Sequence, residues 1–131
     1  MTHQTMQNAD MQRCIDACKQ CHDVCLRTAM TACLPAGGKH VEEAHLRLMI
    51  NCQEICQTAA NFMLSGSTYH GAVCNACAQV CDACADSCER IGDMDDCVQA
   101  CRDCAENCEK MAQTYQAHPG HIRSDSPRPS M

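Results

Sequence analysis

Cysteines recur along this chain in one fixed pattern, CxxxCxxCxxxC, which occurs three times. The three copies read CIDACKQCHDVC from Cys14, CAQVCDACADSC from Cys77 and CVQACRDCAENC from Cys97. Intervals that alternate between four and three residues place every cysteine of a copy on one stripe of an α-helix, where Leu and Ile would line an ordinary bundle. The pattern therefore predicts helices whose thiols point into a shared core.

Clusters of glycine, proline and serine divide the chain into four stretches that are rich in helix-forming residues. The predicted helices span about residues 9–34, 39–65, 68–90 and 94–116. Asp10 and Asp93 are the expected N-caps of the first and last. Short loops predict that neighbouring helices run antiparallel. The expected fold is all-α, an antiparallel four-helix bundle with a cysteine-lined core at 9–116, followed by a disordered C-terminal tail at 117–131.

The composition explains what can fill this core. Leu, Ile, Val and Phe together supply only sixteen positions, whereas Ala supplies seventeen and Cys sixteen. That aliphatic and aromatic share is too small for a conventional interior. A protonated cysteine packs like a small apolar side chain, so the thiols themselves are expected to form much of the core.

The second predicted helix carries only two cysteines, Cys52 and Cys56. His45 and Met49 precede them at the same spacing, so that His45-Met49-Cys52-Cys56 keeps the 4-3-4 pattern with two other ligand types. A buried histidine needs hydrogen-bond partners, and a methionine on such a stripe can be simple packing, so ligation and packing both stay open here. Three further histidines are expected to be solvated or to cap helices: His22, His40 and His70.

The N-terminal residues have neither a basic start nor an apolar stretch, so no secretory signal peptide or membrane span is expected. The expected location is the cytoplasm, where thiols stay reduced and dense cysteines favour metal binding over disulfides. The net charge is −6 and aromatic residues are few. This composition does not match a basic surface for nucleic acid.

Soft thiolates and thioethers select Cu(I), Zn(II) or iron–sulfur clusters. Two thiolates that share one near-linear ion lie about 4.6 Å apart, which suits helical positions whose Cβ atoms are ~5–6 Å apart. Each Cu(I) that replaces one thiol proton leaves the core neutral, whereas four thiolates around each Zn(II) leave excess negative charge. Iron–sulfur ligand runs usually end in Cys-Pro, which does not occur here.

The sequence therefore favours several Cu(I) ions per chain. The candidate ligands are Cys14, Cys18, Cys21, Cys25, Cys33, Cys52, Cys56, Cys74, Cys77, Cys81, Cys84, Cys88, Cys97, Cys101, Cys104 and Cys108, together with His45 and Met49.

Three helical copies of CxxxCxxCxxxC, in four helices of this length and without a signal peptide, resemble the cytosolic branch of the bacterial copper storage proteins. The resemblance covers about residues 9–116 and depends on the cysteine repeat. It implies storage or detoxification of copper rather than catalysis, with Cu(I) along the interior of each bundle and a homotetramer of bundles. Exchange of copper with a chaperone is compatible with that role. The chain departs from the family pattern in its second helix, at His45 and Met49.

Other classes remain open. A helical, metallothionein-like protein for zinc or cadmium would use the same thiols, and competition between Cu(I) and Zn(II) would separate the two. A thiol–disulfide redox enzyme would use one Cys-x-x-Cys motif at a helix N-terminus, where the thiolate is stabilised, and mid-helix thiols do not suit that role. A structural protein joined by disulfides would require oxidising surroundings.

An up-down bundle also predicts which residues meet at each end of the core. One end gathers Cys33, His45, Met49, Cys88, Met94 and Cys97, and the other gathers Cys14, Met63, Cys74, Cys108 and Met111. A neutral His or a Met binds Cu(I) without releasing a thiol proton. Copper is therefore expected to enter and leave at the first end, with simple packing of the bundle end as the alternative.

Overall fold

In the computed structural model, the backbone is described for residues 3–116 and the side chains for residues 8–113. Within these residues four long helices account for most of the chain, and no strand occurs. Their bounds are α1 His3–Thr28, α2 Glu43–Leu64, α3 His70–Ile91 and α4 Asp95–Gln116. A π-helical turn at Ala29–Cys33 and a helical turn at Leu34–Ala36 continue α1, and a 3-10 turn at Gly38–Val41 precedes α2. None of the described helices is both long and apolar enough to cross a membrane.

Contacts between sulfur atoms show that neighbouring helices run antiparallel. The thiol pairs between α1 and α4 are Cys14 with Cys108, Cys18 with Cys104, Cys21 with Cys101 and Cys25 with Cys97. In the same way, Cys52 of α2 contacts Cys81 of α3, and Cys56 contacts Cys77. Each helix packs on the next one along the chain, and α1 closes the ring against α4. The predicted antiparallel four-helix bundle is confirmed.

The interior of the bundle consists largely of sulfur and alanine. All sixteen cysteines have an exposure of 0% and are free thiols. Ala59, Ala60 and Ala85 are also fully buried, and such small side chains let the helices approach closely. No leucine within residues 8–113 is buried, and Leu26 and Leu64 are exposed. The cysteine-lined core is therefore as predicted, and the thiols occupy the positions that large aliphatic residues hold in other bundles.

Both predicted N-caps are wrong. Asp10 lies inside α1, which begins at His3, and its carboxylate pairs with Arg13 one turn later. The residues before Asp10 also favour a helix, so the first thiol does not mark its start. Asp93 has a φ of 62° and belongs to the turn before α4, which begins at Asp95. Aspartate adopts this left-handed conformation more readily than most residues do, and a helix N-cap requires an extended one.

The first helical region is longer than predicted at its C-terminal end. It continues through Pro35 to Ala36 and ends at Gly37, whose φ is 68°. A proline is tolerated there because it occupies the first turn of a new helical segment, where its missing N–H costs little. The predicted disordered tail at 117–131 lies outside the described residues.

The π-helical turn brings the last cysteine of the first helical region into the core. Cys33 follows Cys25 by eight residues, and in a regular α-helix that interval rotates a side chain by about 80° away from the stripe. A π turn adds a residue to the helical circuit. Here the N–H of Leu34 donates to the carbonyl of Ala29, five residues back. Cys33 is fully buried as a result, whereas the adjacent Ala32 is only partly buried.

Candidate metal centre

The thiols of α1 and α4 form a column of sulfur atoms along the bundle. At one end of this column, the Sγ atoms of Cys14 and Cys18 each lie 3.6 Å from Cys108 Sγ. Towards the other end, Cys25 Sγ lies 3.3 Å from Cys97 Sγ. The 4-3 spacing on both helices keeps their thiols opposite one another at every level, because the two stripes have the same periodicity.

Thiols from α2 and α3 complete the column. Cys52 Sγ lies 3.7 Å from Cys81 Sγ and 3.8 Å from Cys101 Sγ. Cys56 Sγ lies 3.5 Å from Cys81 Sγ and 3.7 Å from Cys104 Sγ. Since Cys101 and Cys104 belong to α4, these contacts cross the bundle. The thiols of all four helices therefore form one network rather than separate pairs.

Several sets of thiols converge closely enough to share metal ions. In each set every Sγ lies within 4.8 Å of the others, and the sets are Cys18, Cys77, Cys104 and Cys108; Cys21, Cys25, Cys52 and Cys101; Cys21, Cys56, Cys81 and Cys104; Cys25, Cys84, Cys97 and Cys101; and Cys14, Cys74 and Cys108. Two thiolates joined by one near-linear ion lie about 4.6 Å apart, which fits within these sets. Five thiols belong to two sets each, so one thiolate can bridge neighbouring ions.

Met49 replaces a thiol near one end of the column. Its Sδ atom lies 3.6 Å from the Sγ atoms of both Cys84 and Cys88 and 4.0 Å from that of Cys97. Met49 has an exposure of 0%. Its thioether is therefore within the sulfur network, where it is equally able to pack and to bind a soft ion.

His45 lies at the same end and is also fully buried. Its Nε2 atom is 3.6 Å from Cys33 Sγ, which in turn donates to Met94 Sδ at 3.4 Å. Its Nδ1 atom is 2.8 Å from Ser87 Oγ, and this contact orients the ring. Burial lowers the pKa of His45, which favours the neutral ring. The structure thus brings together the residues that the up-down topology predicts at this end, and their ligation of metal stays a prediction.

A cleft of about 390 Å³ opens at this end between the C-terminal part of α1 and the start of α4. Its lining residues are Thr28, Ala32, Asp93, Met94, Asp95, Asp96 and Cys97. Three of these are aspartates, whereas Met94 and Cys97 are buried. The cleft therefore joins an acidic surface to the sulfur network.

The opposite end gathers Cys14, Cys74 and Cys108, and it also holds a histidine that sequence reasoning treated as solvated or capping. His70 has an exposure of only 4%, and its Nδ1 atom lies 2.8 Å from the carbonyl oxygen of Ser67. It precedes Cys74 by four residues and so continues the α3 stripe. This four-residue interval is the signal in the sequence that predicts its burial.

His22 and His40, which were also expected to be solvated or to cap helices, lie away from the thiol column. His22 Nδ1 is 3.2 Å from the carbonyl oxygen of Gln53, which links α1 to α2. His40 lies in the 3-10 turn before α2 and is partly buried. Neither is fully solvated, and neither lies on a cysteine stripe.

The buried thiols change one another's pKa. Hydrogen bonds from Cys104 and Cys108 lower the pKa of Cys18 to about 6, and those with Cys108 and Cys18 raise the pKa of Cys104. Burial raises the pKa of Cys33. No Lys or Arg is among the buried residues of the described part of the chain, so several thiolates without metal would be uncompensated. Protons or monovalent metal ions on the sulfurs keep this core neutral.

Comparisons with known proteins agree with this arrangement. The profile of the family described as copper storage protein, Csp, matches residues 7–113. The uncharacterized cysteine-rich protein YhjQ of Bacillus subtilis (strain 168) is 35% identical over 69 residues, which are 53% of this chain. The match spans 63% of the length of that relative.

Solved structures show the same fold. A structural-genomics protein from Nitrosospira multiformis is 61% identical, with a TM-score of 0.80 over 82% of this chain and 98% of that chain. The Cu(I)-bound copper storage protein BsCsp3 is 32% identical, with a TM-score of 0.73 over 79% of this chain and 98% of that chain. The apo form of copper storage protein 3 from Bacillus subtilis is 34% identical, with a TM-score of 0.64 over 77% of this chain and 97% of that chain. Since the family profile spans nearly the whole of the cysteine-lined bundle, this chain belongs to the copper storage protein family.

Proposed function

We propose that this protein binds and stores many Cu(I) ions through the thiolates of its core, for copper storage or for protection from copper. The observation that carries the proposal is the single network of buried free thiols, in which sets of three or four Sγ atoms lie within 4.8 Å of one another. The proposed ligands are the sixteen cysteines, with His45 and Met49 at one end. The Cu(I)-bound structure of BsCsp3 supports the choice of ion.

The charge of the core also favours Cu(I). Each Cu(I) displaces one thiol proton, so the loaded core has the same charge as the protonated one. Four thiolates around one Zn(II) would leave net negative charge among side chains that include no buried Lys or Arg in the described residues. Monovalent copper is therefore the ion that this interior can hold in large numbers.

Titration of the reduced protein with Cu(I) against a competing chelator, followed by metal analysis, tests the proposal. We expect saturation near one ion per cysteine, ~16 per chain, with two or three soft ligands per ion. Zn(II) added in competition serves as the control for the metallothionein-like alternative. Saturation at only a few ions, or tetrahedral zinc in protein purified without added metal, would contradict storage of Cu(I).

Copper enters and leaves at the end that contains His45 and Met49. The acidic cleft beside Met94 and Cys97 supports this route, because carboxylates attract a cation towards the sulfur network. His45 and Met49 then act as weaker relay ligands ahead of the thiolates, since neither must lose a proton to bind Cu(I).

The protein acts in the cytoplasm as a homotetramer that exchanges copper with a chaperone. Family resemblance supports the assembly, and free thiols at all sixteen cysteines suit a reducing compartment. Leu26, Met30 and Leu34 follow one another at four-residue intervals along the first helical region and are 43%, 55% and 50% exposed. Contacts between copies would cover such an apolar stripe.

A further inference from the structure

The thiol of Cys33 lies in different surroundings from those of the converging thiol sets. Its Sγ atom is 3.6 Å from Nε2 of His45 and 3.4 Å from Sδ of Met94, so it contacts a nitrogen and a thioether. Among the described residues, it belongs to none of the sets of three or four converging thiols. Cys33 and His45 have an exposure of 0%, and Met94 has one of 4%. One thiol, one imidazole and one thioether thus meet in the interior, outside those sets.

The three groups come from different parts of the chain that meet at one end of the bundle. Cys33 is the last residue of the π turn, and His45 lies in the first turn of α2. Met94 immediately precedes α4 and stands three residues before Cys97, which is the next position of the α4 cysteine stripe. Helical register therefore directs each side chain to the core, and the antiparallel packing brings the three together.

The distances among these atoms suit a single three-coordinate ion. With bonds of about 2.3 Å to sulfur and 2.1 Å to nitrogen, the values for zinc, the ligand atoms around a trigonal ion lie about 3.8–4.0 Å apart. The separations of 3.6 Å and 3.4 Å from Cys33 Sγ are shorter than this by only a few tenths of an ångström. Small side-chain rotations can supply such shifts, so an ion can enter without rearrangement of the helices.

Ser87 of α3 orients the imidazole of His45. Its Oγ atom lies 2.8 Å from His45 Nδ1, and both residues are buried. A hydroxyl can donate or accept, and when Nδ1 donates to it, the lone pair of the neutral ring is on Nε2, the atom that contacts Cys33. Metal-binding histidines are commonly held by such a hydrogen bond from the other ring nitrogen. The ring therefore has the orientation that ligation requires.

We infer that Cys33, His45 and Met94 form a separate Cu(I) site with a single thiolate, and that its ion is the last to be taken up and the first to be released. This inference rests on the proposed storage of Cu(I), to which it adds Met94 as a ligand. On binding, Cu(I) replaces the proton of the Cys33 thiol, and that proton leaves to solvent. The imidazole and the thioether each contribute a lone pair. No electron is transferred, and the site stays neutral.

The ligand set and the location of this site both make its ion exchangeable. A thiolate is soft and negatively charged, so it holds Cu(I) more firmly than a neutral imidazole or thioether does. The converging sets offer an ion several thiols, whereas this site offers one. Met94 also lines the acidic cleft of about 390 Å³, so the site lies beside the proposed route of entry. An ion here is held more weakly than the ions of the sets and is close to the surface.

Methyl NMR of the wild-type protein tests the ligation directly, because Cu(I) is a diamagnetic ion. Protein with ¹³C-labelled methionine methyl groups is titrated with Cu(I), and the Met94 signal is assigned from the variant Met94→Leu. We expect this signal to shift as the last Cu(I) binds, since the methyl group is attached to the ligating sulfur, while the signal of Met111 stays unchanged over that step. A Met94 signal that does not move in fully loaded protein, or that moves with the first ions, overturns the inference and leaves storage intact. A wild-type protein that takes up no Cu(I) overturns both.

Met94→Leu itself provides the second measurement, because leucine keeps the apolar volume and removes the thioether. In competition with a chromophoric chelator, we expect the last Cu(I) of each chain to bind about tenfold more weakly than in wild type, with the other ions unaffected. Met111→Leu, at a buried methionine near the C-terminal end of α4, is the matched control and should bind every ion as the wild type does. Wild-type affinity in Met94→Leu, or equal weakening in both variants, shows that Met94 only packs the bundle end.

Discussion

A buried cysteine can serve both packing and metal binding, because its thiol is a small apolar group when protonated and a soft ligand once the proton is lost. Cys101 illustrates this at the middle of the core, where it is fully buried and its Sγ lies 3.7 Å, 3.6 Å and 3.8 Å from those of Cys21, Cys25 and Cys52. His45 and Met49 differ, since a neutral imidazole or a thioether would bind Cu(I) without releasing a proton. Their role should therefore be kinetic.

Replacing both residues, His45→Leu with Met49→Leu, keeps apolar volume and removes both ligands. We expect Cu(I) uptake and release to slow by about tenfold, equivalent to about 1.4 kcal/mol in the barrier, because the two proposed relay ligands are removed. The total capacity should change little, since all the thiols remain. Stopped-flow exchange with a chromophoric chelator measures the rates. Ser87 loses its partner, which costs about 1–3 kcal/mol of stability and shows as a lower unfolding temperature.

Met63→Leu with Met111→Leu is the matched control. Both methionines are buried. They lie near the C-terminal ends of α2 and α4, which the antiparallel order of the helices places at the opposite end of the core from His45. Exchange in this variant should stay at the wild-type rate. Unaltered exchange in the His45 and Met49 variant, or equal slowing in both, would mean that copper enters elsewhere and that His45 and Met49 only pack the bundle end.

At the scale of the helix, the π turn at Ala29–Cys33 accommodates the eight-residue interval between Cys25 and Cys33, so that both thiols face the core. It adds one residue between Cys25 and Cys33, so that the second thiol returns to the stripe. Thr31 Oγ1 donates to the carbonyl of Arg27 at 2.7 Å, which gives this widened turn an additional hydrogen bond. The other repeats have the regular 4-3 spacing and remain α-helical.

Deletion of Thr31 should convert the π turn into a regular α-helical turn with Cys33 still in the core. The shortened interval of seven residues from Cys25 matches two helical turns, so the thiol stays on the stripe. We expect unchanged Cu(I) capacity and an unfolding free energy within about 1 kcal/mol of wild type, measured by metal titration and by thermal unfolding followed by circular dichroism.

Deletion of Lys19 is the control for that variant. Lys19 is exposed like Thr31, but it lies within the regular part of α1. Its loss rotates the thiols on one side of it by about 100° relative to the other and should reduce both capacity and stability. If the Thr31 deletion proves as damaging as the Lys19 deletion, the π turn is needed for more than register.

At the scale of the whole molecule, the bundle needs no metal to cancel buried charge. Protonated thiols are neutral, and alanines such as Ala59 and Ala85 let the helices pack closely around them. This differs from zinc fingers, in which metal binding supplies the folding free energy. We therefore expect the bundle to fold before it binds copper.

The reduced, metal-free protein should accordingly be folded and helical. Circular dichroism of chelator-treated protein is expected to show the helical spectrum and a cooperative thermal transition, which added Cu(I) raises because the ion binds only the folded state. A random-coil spectrum that becomes helical only after Cu(I) is added would contradict this. It would show that metal binding supplies the folding free energy, as in zinc fingers.

The sequence by itself determined the four helices, the stripe on each that faces the core and the soft-metal chemistry of the site. These depend on local periodicity: spacing such as Cys97-Cys101-Cys104-Cys108 has one outcome on a helix, whatever surrounds it. The residues that meet at each end were also predictable, because four helices with short loops pack in an up-down ring.

Only the tertiary structure decided how far each side chain is buried, which thiols converge in sets, and how Cys33 returns to the core. It also corrected Asp10 and Asp93, since a helix starts where its backbone hydrogen bonds and packing begin and not at every residue that can cap it. His70 is the clearest case. Its place on the stripe is written in the sequence, but its burial and the orientation of its ring come from the packing of the bundle end and from the carbonyl of Ser67, which neighbouring residues alone do not reveal.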